Sequence, residues 1–171
     1  MNIAIKTTGD ELPQALLLNQ LRSKHATISC AESCTGGYIA HLITLVAGAS
    51  DCFNGGVVAY SNQIKKKLLN VSDDDLLQHG AVSQQVVEQM ALGACTTLGS
   101  NYAIATSGIA GPAGGTPEKP VGTVWIAWAG NNKVVSECFH FSNSREQTIA
   151  SAAETAIIRM NMMLKDEFLC D

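Results

Sequence analysis

A serine and a cysteine stand side by side in a glycine-containing segment, Ala31-Glu32-Ser33-Cys34-Thr35-Gly36-Gly37. Either side chain can attack a carbonyl carbon once a base or a lowered pKa activates it. The apolar residues 26–30 before the segment predict a buried strand, and apolar residues at helical spacing after it predict a helix from Tyr38 to Gly48. The N–H groups of such a strand-to-helix turn would stabilise an anion or a developing oxyanion. The alternative is an N-cap with a tight turn and no chemistry.

A serine nucleophile needs a base, and the sequence favours a lysine. The four histidines, at positions 25, 41, 79 and 140, do not follow the carboxyl end of a predicted strand, so a Ser–His–Asp triad has no motif to support it. Lys65 is better placed, because it comes soon after the predicted strand 55–60. It can act as a base only if its pKa is lowered so that it is neutral. Alternatively, Lys65 to Lys67 form a solvated helix face, and Cys34 is the nucleophile, although the sequence assigns it no base.

A glycine- and proline-rich segment, Ser107 to Pro120, follows the predicted strand Tyr102 to Thr106. It holds three of the four prolines of the chain, which excludes a helix or a central strand. It matches neither GxGxxG nor GxxxxGK[ST], but its N–H groups can still cradle a phosphate. Arg145 lies in the first turn of the last predicted helix, against the helix dipole. It therefore predicts a phosphate or carboxylate ligand, unless it is simply solvated.

The elements that position these residues alternate between strands and helices. The order predicts an α/β fold: a three-layer α/β/α domain with a mixed, mostly parallel five-stranded sheet, as one domain over residues 1–171. The segments 122–129 and 134–141 predict an antiparallel hairpin, and Ser144 to Gln147 predict a capping box. Ligands of such sheets bind beyond the carboxyl ends of parallel strands, so Ser33, the segment 60–65 and the glycine loop are expected to converge.

Composition narrows the choice of partners and compartment. The 171-residue chain has a formal charge of −4 and a pI near 5.5, which disfavours nucleic acid as a partner. No apolar run reaches the ~20 residues of a membrane span, and the N-terminus lacks the pattern of a signal peptide. The six cysteines contain no CxxC pair, which favours buried free thiols in the cytoplasm over a zinc site.

Five segments together carry long and specific motifs: AESCTGG (31–37), VVAYSNQIKKKLL (57–69), HGAVS (79–83), TSGIAGPAGGTPEKPVGTVW (106–125) and SNSRE (142–146). They resemble the C-terminal domain of competence/damage-inducible protein A, the CinA family, from about residue 10 onward. The stand-alone members of that family are nicotinamide-nucleotide amidases. The resemblance therefore implies hydrolysis of nicotinamide mononucleotide to nicotinate mononucleotide and ammonia, in pyridine-nucleotide salvage, by a homodimer without metal or organic cofactor.

The resemblance also assigns roles to residues. It implies a Ser–Lys dyad at Ser33 and Lys65 with Tyr60 close by. We expect the turn residues to supply the oxyanion site and the glycine loop and late arginine to hold the nucleotide; the substrate-binding candidates are Thr35, Gly36, Gly37, Thr106, Ser107, Gly108, Gly111, Gly115 and Arg145.

The chain departs from the family pattern at two places. The family's YSNEAK is YSNQIK here, which leaves the lysine in place. The family's GDR is NSR, so Ser144 replaces an aspartate that would orient Arg145. A nucleotide-binding regulatory module without catalysis is the alternative of another class, and ammonia release from nicotinamide mononucleotide would separate the two.

Overall fold

The computed structural model describes residues 12–142 and 144–166. The predictions made for the N-terminal segment, for Asn143 and for Cys170 lie outside these ranges. Six helices and five strands make up the described fold. The helices are α1 (Pro13–Ser23), α2 (Tyr38–Thr44), α3 (Asn62–Leu69), α4 (Asp73–Gln78), α5 (Gln84–Leu98) and α6 (Arg145–Lys165), and the strands are β1 (Ile28–Glu32), β2 (Phe53–Val58), β3 (Tyr102–Gly108), β4 (Thr123–Gly130) and β5 (Lys133–His140).

The five strands form one mixed sheet in the order β2-β1-β3-β4-β5. β1 pairs in parallel with β2 and β3, whereas β4 pairs antiparallel with both β3 and β5. Four strands therefore point in one direction and β4 alone runs against them. This arrangement confirms the predicted five-stranded mixed sheet and the hairpin of β4 and β5.

The two faces of the sheet carry side chains of different size. Ile28, Ile104 and Trp128 point to one face, where they pack with α1, α2 and α6 in a cluster of bulky apolar residues. The residues at alternate positions, such as Ala103 and Ala127, point to the other face and pack with α5. Because successive residues of a strand point to opposite faces of the sheet, the same strands contribute side chains to both apolar clusters. The three-layer α/β/α architecture follows.

Several element boundaries differ from the sequence-based predictions. β1 runs to Glu32, which pairs with Val58 and Thr106, so Ser33 is the first residue after the strand. β3 continues through Ser107 and Gly108, which were predicted to open the glycine loop. These residues stay in the sheet because β4 extends past the end of β1 and pairs with them.

The helix after the turn is shorter than predicted. α2 ends at Thr44 instead of Gly48, and a short 3-10 turn, Ala49–Asp51, follows. Gly48 precedes that turn with a φ of 75°, a conformation that glycine adopts without steric cost. None of the helices in the described ranges is both long enough and apolar enough to cross a membrane.

Candidate active site

Ser33 and Lys65 meet beyond the carboxyl ends of β1 and β2. Ser33 comes directly after β1, and Lys65 lies in the first half of α3, which begins four residues after β2 ends. The Lys65 Nζ atom is 2.8 Å from Ser33 Oγ and donates a hydrogen bond to the carbonyl oxygen of Ala59 at 2.6 Å. The lysine amine thus lies between the serine hydroxyl and the Ala59 carbonyl and contacts both.

The amine of Lys65 is buried, with only 1% of the residue exposed. Burial disfavours the charged form and lowers its pKa from 10.5 to about 8, and Cys34 opposes this shift. Lys66 and Lys67 are exposed, and Lys66 forms an ion pair with Asp73 at 2.6 Å. The interpretation of the lysine run as a solvated face therefore holds for its last two members and is wrong for Lys65.

Cys34 is a poor candidate for the nucleophile. It is 7% exposed and belongs to the same apolar cluster as Ile39 and Ile104. Burial, together with the negative charge of Glu32, raises the pKa of the Cys34 thiol to about 12. Because the thiolate is the reactive form of cysteine, this environment disfavours a cysteine-dependent reaction.

The amino terminus of α2 already holds an anion from the protein itself. The carboxylate of Glu32 accepts hydrogen bonds from the N–H groups of Gly37, Ile39 and Ala40 at 3.0, 3.1 and 2.9 Å. The N–H of Gly36 donates to the carbonyl of Ser33 at 3.2 Å. The expectation that the N–H groups of Gly36 and Gly37 stabilise the oxyanion is therefore wrong, since both are engaged inside the protein.

Two N–H groups of the turn differ from their neighbours in their acceptors, and that of Cys34 lies close to its own thiol. Within the described part of the chain, the N–H groups of Cys34 and Thr35 donate to no carbonyl and no carboxylate. The hydroxyl of Thr35 lies 2.7 Å from that of Thr106, and the two buried side chains tie the turn to β3. Cys34 and Thr35 directly follow Ser33, which is where acyl-transfer enzymes with a strand-to-helix nucleophile turn provide an oxyanion donor.

Arg145 reaches across the site from the start of α6. Its guanidinium donates to the carbonyl of Gly111 at 2.8 Å and to the hydroxyl of Tyr60 at 3.2 Å. The predicted capping box is confirmed, because Ser144 accepts from the Gln147 N–H and the Gln147 side chain accepts from the Ser144 N–H. Ser144 therefore caps the helix, and Arg145 is oriented by the glycine loop and Tyr60 without an aspartate.

These residues surround a cavity of about 180 Å³. The structure brings seven candidate residues to its wall: Ser33, Cys34, Tyr60, Lys65, Ser107, Gly108 and Arg145. The other predicted residues, Thr35, Gly36, Gly37, Thr106, Gly111 and Gly115, are not part of the wall. Four further wall residues, Asn62, Ala81, Val82 and Ala110, were not named individually, although Asn62 and Ala110 lie in segments that were expected to converge here. Asn62 carried a usable signal, because it lies three positions before Lys65 and so shares its helix face.

Gly111 and Gly115 shape the loop instead of lining the cavity. Gly111 has a φ of 89°, and a Cβ there would lie 2.6 Å from a methyl of Val121. A Cβ on Gly115 would lie 2.7 Å from the Val121 backbone nitrogen. Any larger residue at either position would push the loop out of place, and with it the Gly111 carbonyl that orients Arg145.

The cavity contains no cluster of metal ligands. Across residues 12–142 and 144–166, no group of three or more His, Cys, Asp or Glu side chains is arranged to hold a metal ion.

The family described as the CinA C-terminal domain matches residues 11–164. The chain belongs to this family. Its members include a CinA-like protein of Cytophaga hutchinsonii that is 47% identical over 146 residues, which are 85% of this chain and 35% of that protein. The chain thus spans about a third of the length of such CinA-like relatives.

Shorter relatives in the CinA family match over most of their length. The nicotinamide-nucleotide amidohydrolase PncC of Enterobacter agglomerans is 51% identical over 134 residues, covering 78% of this chain and 82% of that protein. The protein of the same name from Escherichia coli is 47% identical over 140 residues, which cover 79% of this chain and 85% of that protein.

Solved structures of CinA superfamily proteins share the fold. A CinA superfamily protein from Klebsiella pneumoniae superimposes with a TM-score of 0.87 at 32% identity, covering 90% of this chain and 96% of that one. The competence/damage-inducible protein CihA of Agrobacterium tumefaciens superimposes with a TM-score of 0.84 at 35% identity. The match covers 93% of this chain and 99% of that one.

Proposed function

We propose that this protein is a nicotinamide-nucleotide amidohydrolase that converts nicotinamide mononucleotide to nicotinate mononucleotide and ammonia. The observation that carries the proposal is the 2.8 Å contact between Ser33 Oγ and a buried lysine amine whose pKa is lowered to about 8. The relatives named PncC supply the reaction, since they match over 82% and 85% of their length.

In the first step, Ser33 Oγ attacks the carboxamide carbon while neutral Lys65 takes the hydroxyl proton. In its neutral form, the Lys65 amine keeps its hydrogen bond to the Ala59 carbonyl at 2.6 Å, and its lone pair accepts the hydroxyl proton of Ser33, whose Oγ atom is 2.8 Å away. The carbonyl oxygen of the substrate becomes an oxyanion, and the N–H group of Cys34, the residue directly after the nucleophile, stabilises it. One such donor contributes roughly 100- to 1000-fold to the rate of acyl transfer.

In the second step, the Lys65 ammonium gives its proton to the departing nitrogen, the carbon–nitrogen bond breaks and ammonia leaves. A nicotinoyl ester of Ser33 remains. Water then attacks this ester while Lys65 takes one of its protons and passes it to Ser33 Oγ, which restores the serine hydroxyl and releases the acid. The acid gives its remaining proton to solvent and becomes the carboxylate. No other side chain of the site has to accept a proton, so the Ser33–Lys65 pair suffices for both halves of the reaction.

Arg145 is the residue that binds the phosphate of the nucleotide in this proposal. The Glu32 carboxylate occupies the amino terminus of α2, which would otherwise attract the phosphate. Arg145 lines the cavity, and Tyr60, which is 63% exposed, accepts one of its hydrogen bonds. The guanidinium is therefore held in place while one side of it remains open to an anion.

Ammonia release from nicotinamide mononucleotide tests the proposal. We expect wild-type protein and the control Lys67→Ala to turn over the substrate, and Ser33→Ala, Lys65→Ala and Lys65→Arg to be inactive although folded. The guanidinium of Lys65→Arg keeps its proton at working pH and cannot act as a base. In the wild type, kcat/KM should rise with pH through about 8 and then level off, because neutral Lys65 is the active form.

Two results would contradict this proposal. Absence of ammonia release by folded wild-type protein would exclude the reaction. Near-normal turnover by Lys65→Arg would exclude Lys65 as the base, while leaving the reaction itself in place.

A further inference from the structure

Glu32 is a buried carboxylate that the proposed chemistry does not use. It is the last residue of β1, is 1% exposed and lies directly before Ser33. Its Oε2 atom accepts from the N–H groups of Gly37 and Ile39, and its Oε1 atom accepts from the N–H of Ala40 and from the Cys30 thiol at 3.4 Å. A buried carboxylate is costly without partners, and here four donors surround it.

The same carboxylate decides which N–H groups of the turn remain available. It takes three N–H groups at the start of α2, and the Ser33 N–H donates to Thr106 at 3.0 Å. Cys34 and Thr35 stand between these two engaged stretches, and among the described residues no carbonyl or carboxylate accepts from their N–H groups. The turn is thus fixed at both ends, while the N–H groups in its middle, next to the nucleophile, have no oxygen acceptor among the described residues.

We infer that Glu32 is a positioning residue that builds the oxyanion site by tethering the start of α2, so that the Cys34 N–H group faces the reacting carbonyl. This inference rests on the proposed amidohydrolase function. The carboxylate suits the task because it carries two acceptor oxygens and no hydrogen. A glutamine side chain at this position would keep one acceptor oxygen, and its NH2 group would point two hydrogens at main-chain N–H groups that need an acceptor.

The test compares Glu32→Gln with Ile43→Val, which trims a buried side chain of α2 and leaves the carboxylate and its partners intact. We expect Glu32→Gln to lower kcat about 100-fold while KM stays within about threefold, because the lost interaction is one made in the transition state. Ile43→Val should lower the melting temperature while keeping kcat within about twofold. Glu32→Asp, which keeps the charge but shortens the side chain, should lose kcat like Glu32→Gln.

A second measurement uses wild-type protein and does not depend on how the variants fold. 3-Pyridylboronic acid forms a tetrahedral adduct when Ser33 Oγ bonds to boron and Lys65 takes the hydroxyl proton. In ¹H–¹⁵N spectra, the amide signal of Cys34 should shift on adduct formation, while those of Gly37 and Ile39 should stay. Shifts at Gly37 and Ile39 instead would overturn the inference.

The outcomes separate this inference from the proposed function. If folded wild-type protein releases no ammonia, the proposed function fails. If the wild type is active and Ser33→Ala is not, but Glu32→Gln keeps kcat within about threefold, only the positioning role of Glu32 is wrong. A loss of kcat in Ile43→Val equal to that in Glu32→Gln would likewise reduce Glu32 to a general stabilising role.

Discussion

Lys65 differs from its two lysine neighbours in its surroundings and not in its chemistry. It shares a helix face with Leu69, four positions later, and both residues are buried. The sequence allowed Lys65 to be chosen as the base, because it is the lysine closest to a strand end. Its burial was not predictable, because that depends on the Ala59 carbonyl and on the packing of α3 against α5.

Cys34 provides a residue-level test of the nucleophile. We expect Cys34→Ala to keep kcat within a few-fold of the wild type, because its thiol, with a pKa of about 12, is protonated at working pH. Its main-chain N–H, which is the group proposed to contact the oxyanion, survives the substitution. Turnover measured by ammonia release checks this, with Ser33→Ala as the inactive reference. A Cys34→Ala protein as inactive as Ser33→Ala, yet folded by circular dichroism, would contradict the assignment of Ser33.

At the level of elements, the strand, turn and helix around Ser33 show what the sequence can and cannot predict. The turn was predicted from the apolar segments on both sides of it, and the structure places Ser33 there. The role of the Glu32 carboxylate at the amino terminus of α2 was not predicted, because the predicted strand ended at residue 30 and left Glu32 in the turn. In the structure, Glu32 is a charged residue at the end of a fully buried strand, and such a residue needs partners nearby.

The start of the glycine loop was misplaced for a different reason. The run of glycines and prolines locates the loop, but it does not show how far the preceding strand pairs. Ser107 and Gly108 remain in β3 because they find partners in Trp125 and Val124 of β4. Pairing between strands distant in sequence sets that boundary, and local composition carries no information about it.

The first turn of α6 offers a test of nucleotide binding. We expect Arg145→Ala to weaken binding of the mononucleotide by roughly 10- to 150-fold, which corresponds to a charge-assisted hydrogen bond of about 1.5–3 kcal/mol. Binding of the corresponding nucleoside, which lacks the phosphate, should change much less. Calorimetry with catalytically inactive Ser33→Ala as the background measures both affinities without turnover. Equal losses for the two ligands would exclude Arg145 as the phosphate contact.

At the level of the whole molecule, the packing of the sheet face that carries Ala103 and Ala127 positions Lys65. The small side chains of that face let α5 lie close to the sheet, and α3 packs on α5 in turn. A Cβ added at Gly93 of α5 would collide with the backbone carbonyl of Leu69, at the end of α3. The helix that carries Lys65 is therefore held in contact with the core, and the lysine side chain is held away from water.

Burying this lysine has a consequence for stability that does not depend on catalysis. The pKa of Lys65 is about 8 in the folded protein and near 10.5 in the unfolded chain. Between these pH values the unfolded state binds more protons, so the free energy of unfolding should rise with pH. Below pH 8 both states are protonated, and the folded state must hold a buried ammonium group. A pKa shift of this size corresponds to a rise of about 3 kcal/mol in the free energy of unfolding between pH 8 and pH 10.5.

Lys65→Met isolates this contribution, because it keeps a side chain of similar length without a titrating group. We expect the free energy of unfolding of the wild type to gain about 3 kcal/mol relative to Lys65→Met between pH 7 and pH 10.5. The Ala59 carbonyl loses its donor in the variant, but that cost is the same at every pH and cancels from the slope. Urea unfolding of both proteins at several pH values measures the difference. Parallel stability curves would mean that Lys65 titrates like an exposed lysine, and the proposed general base would lose its physical basis.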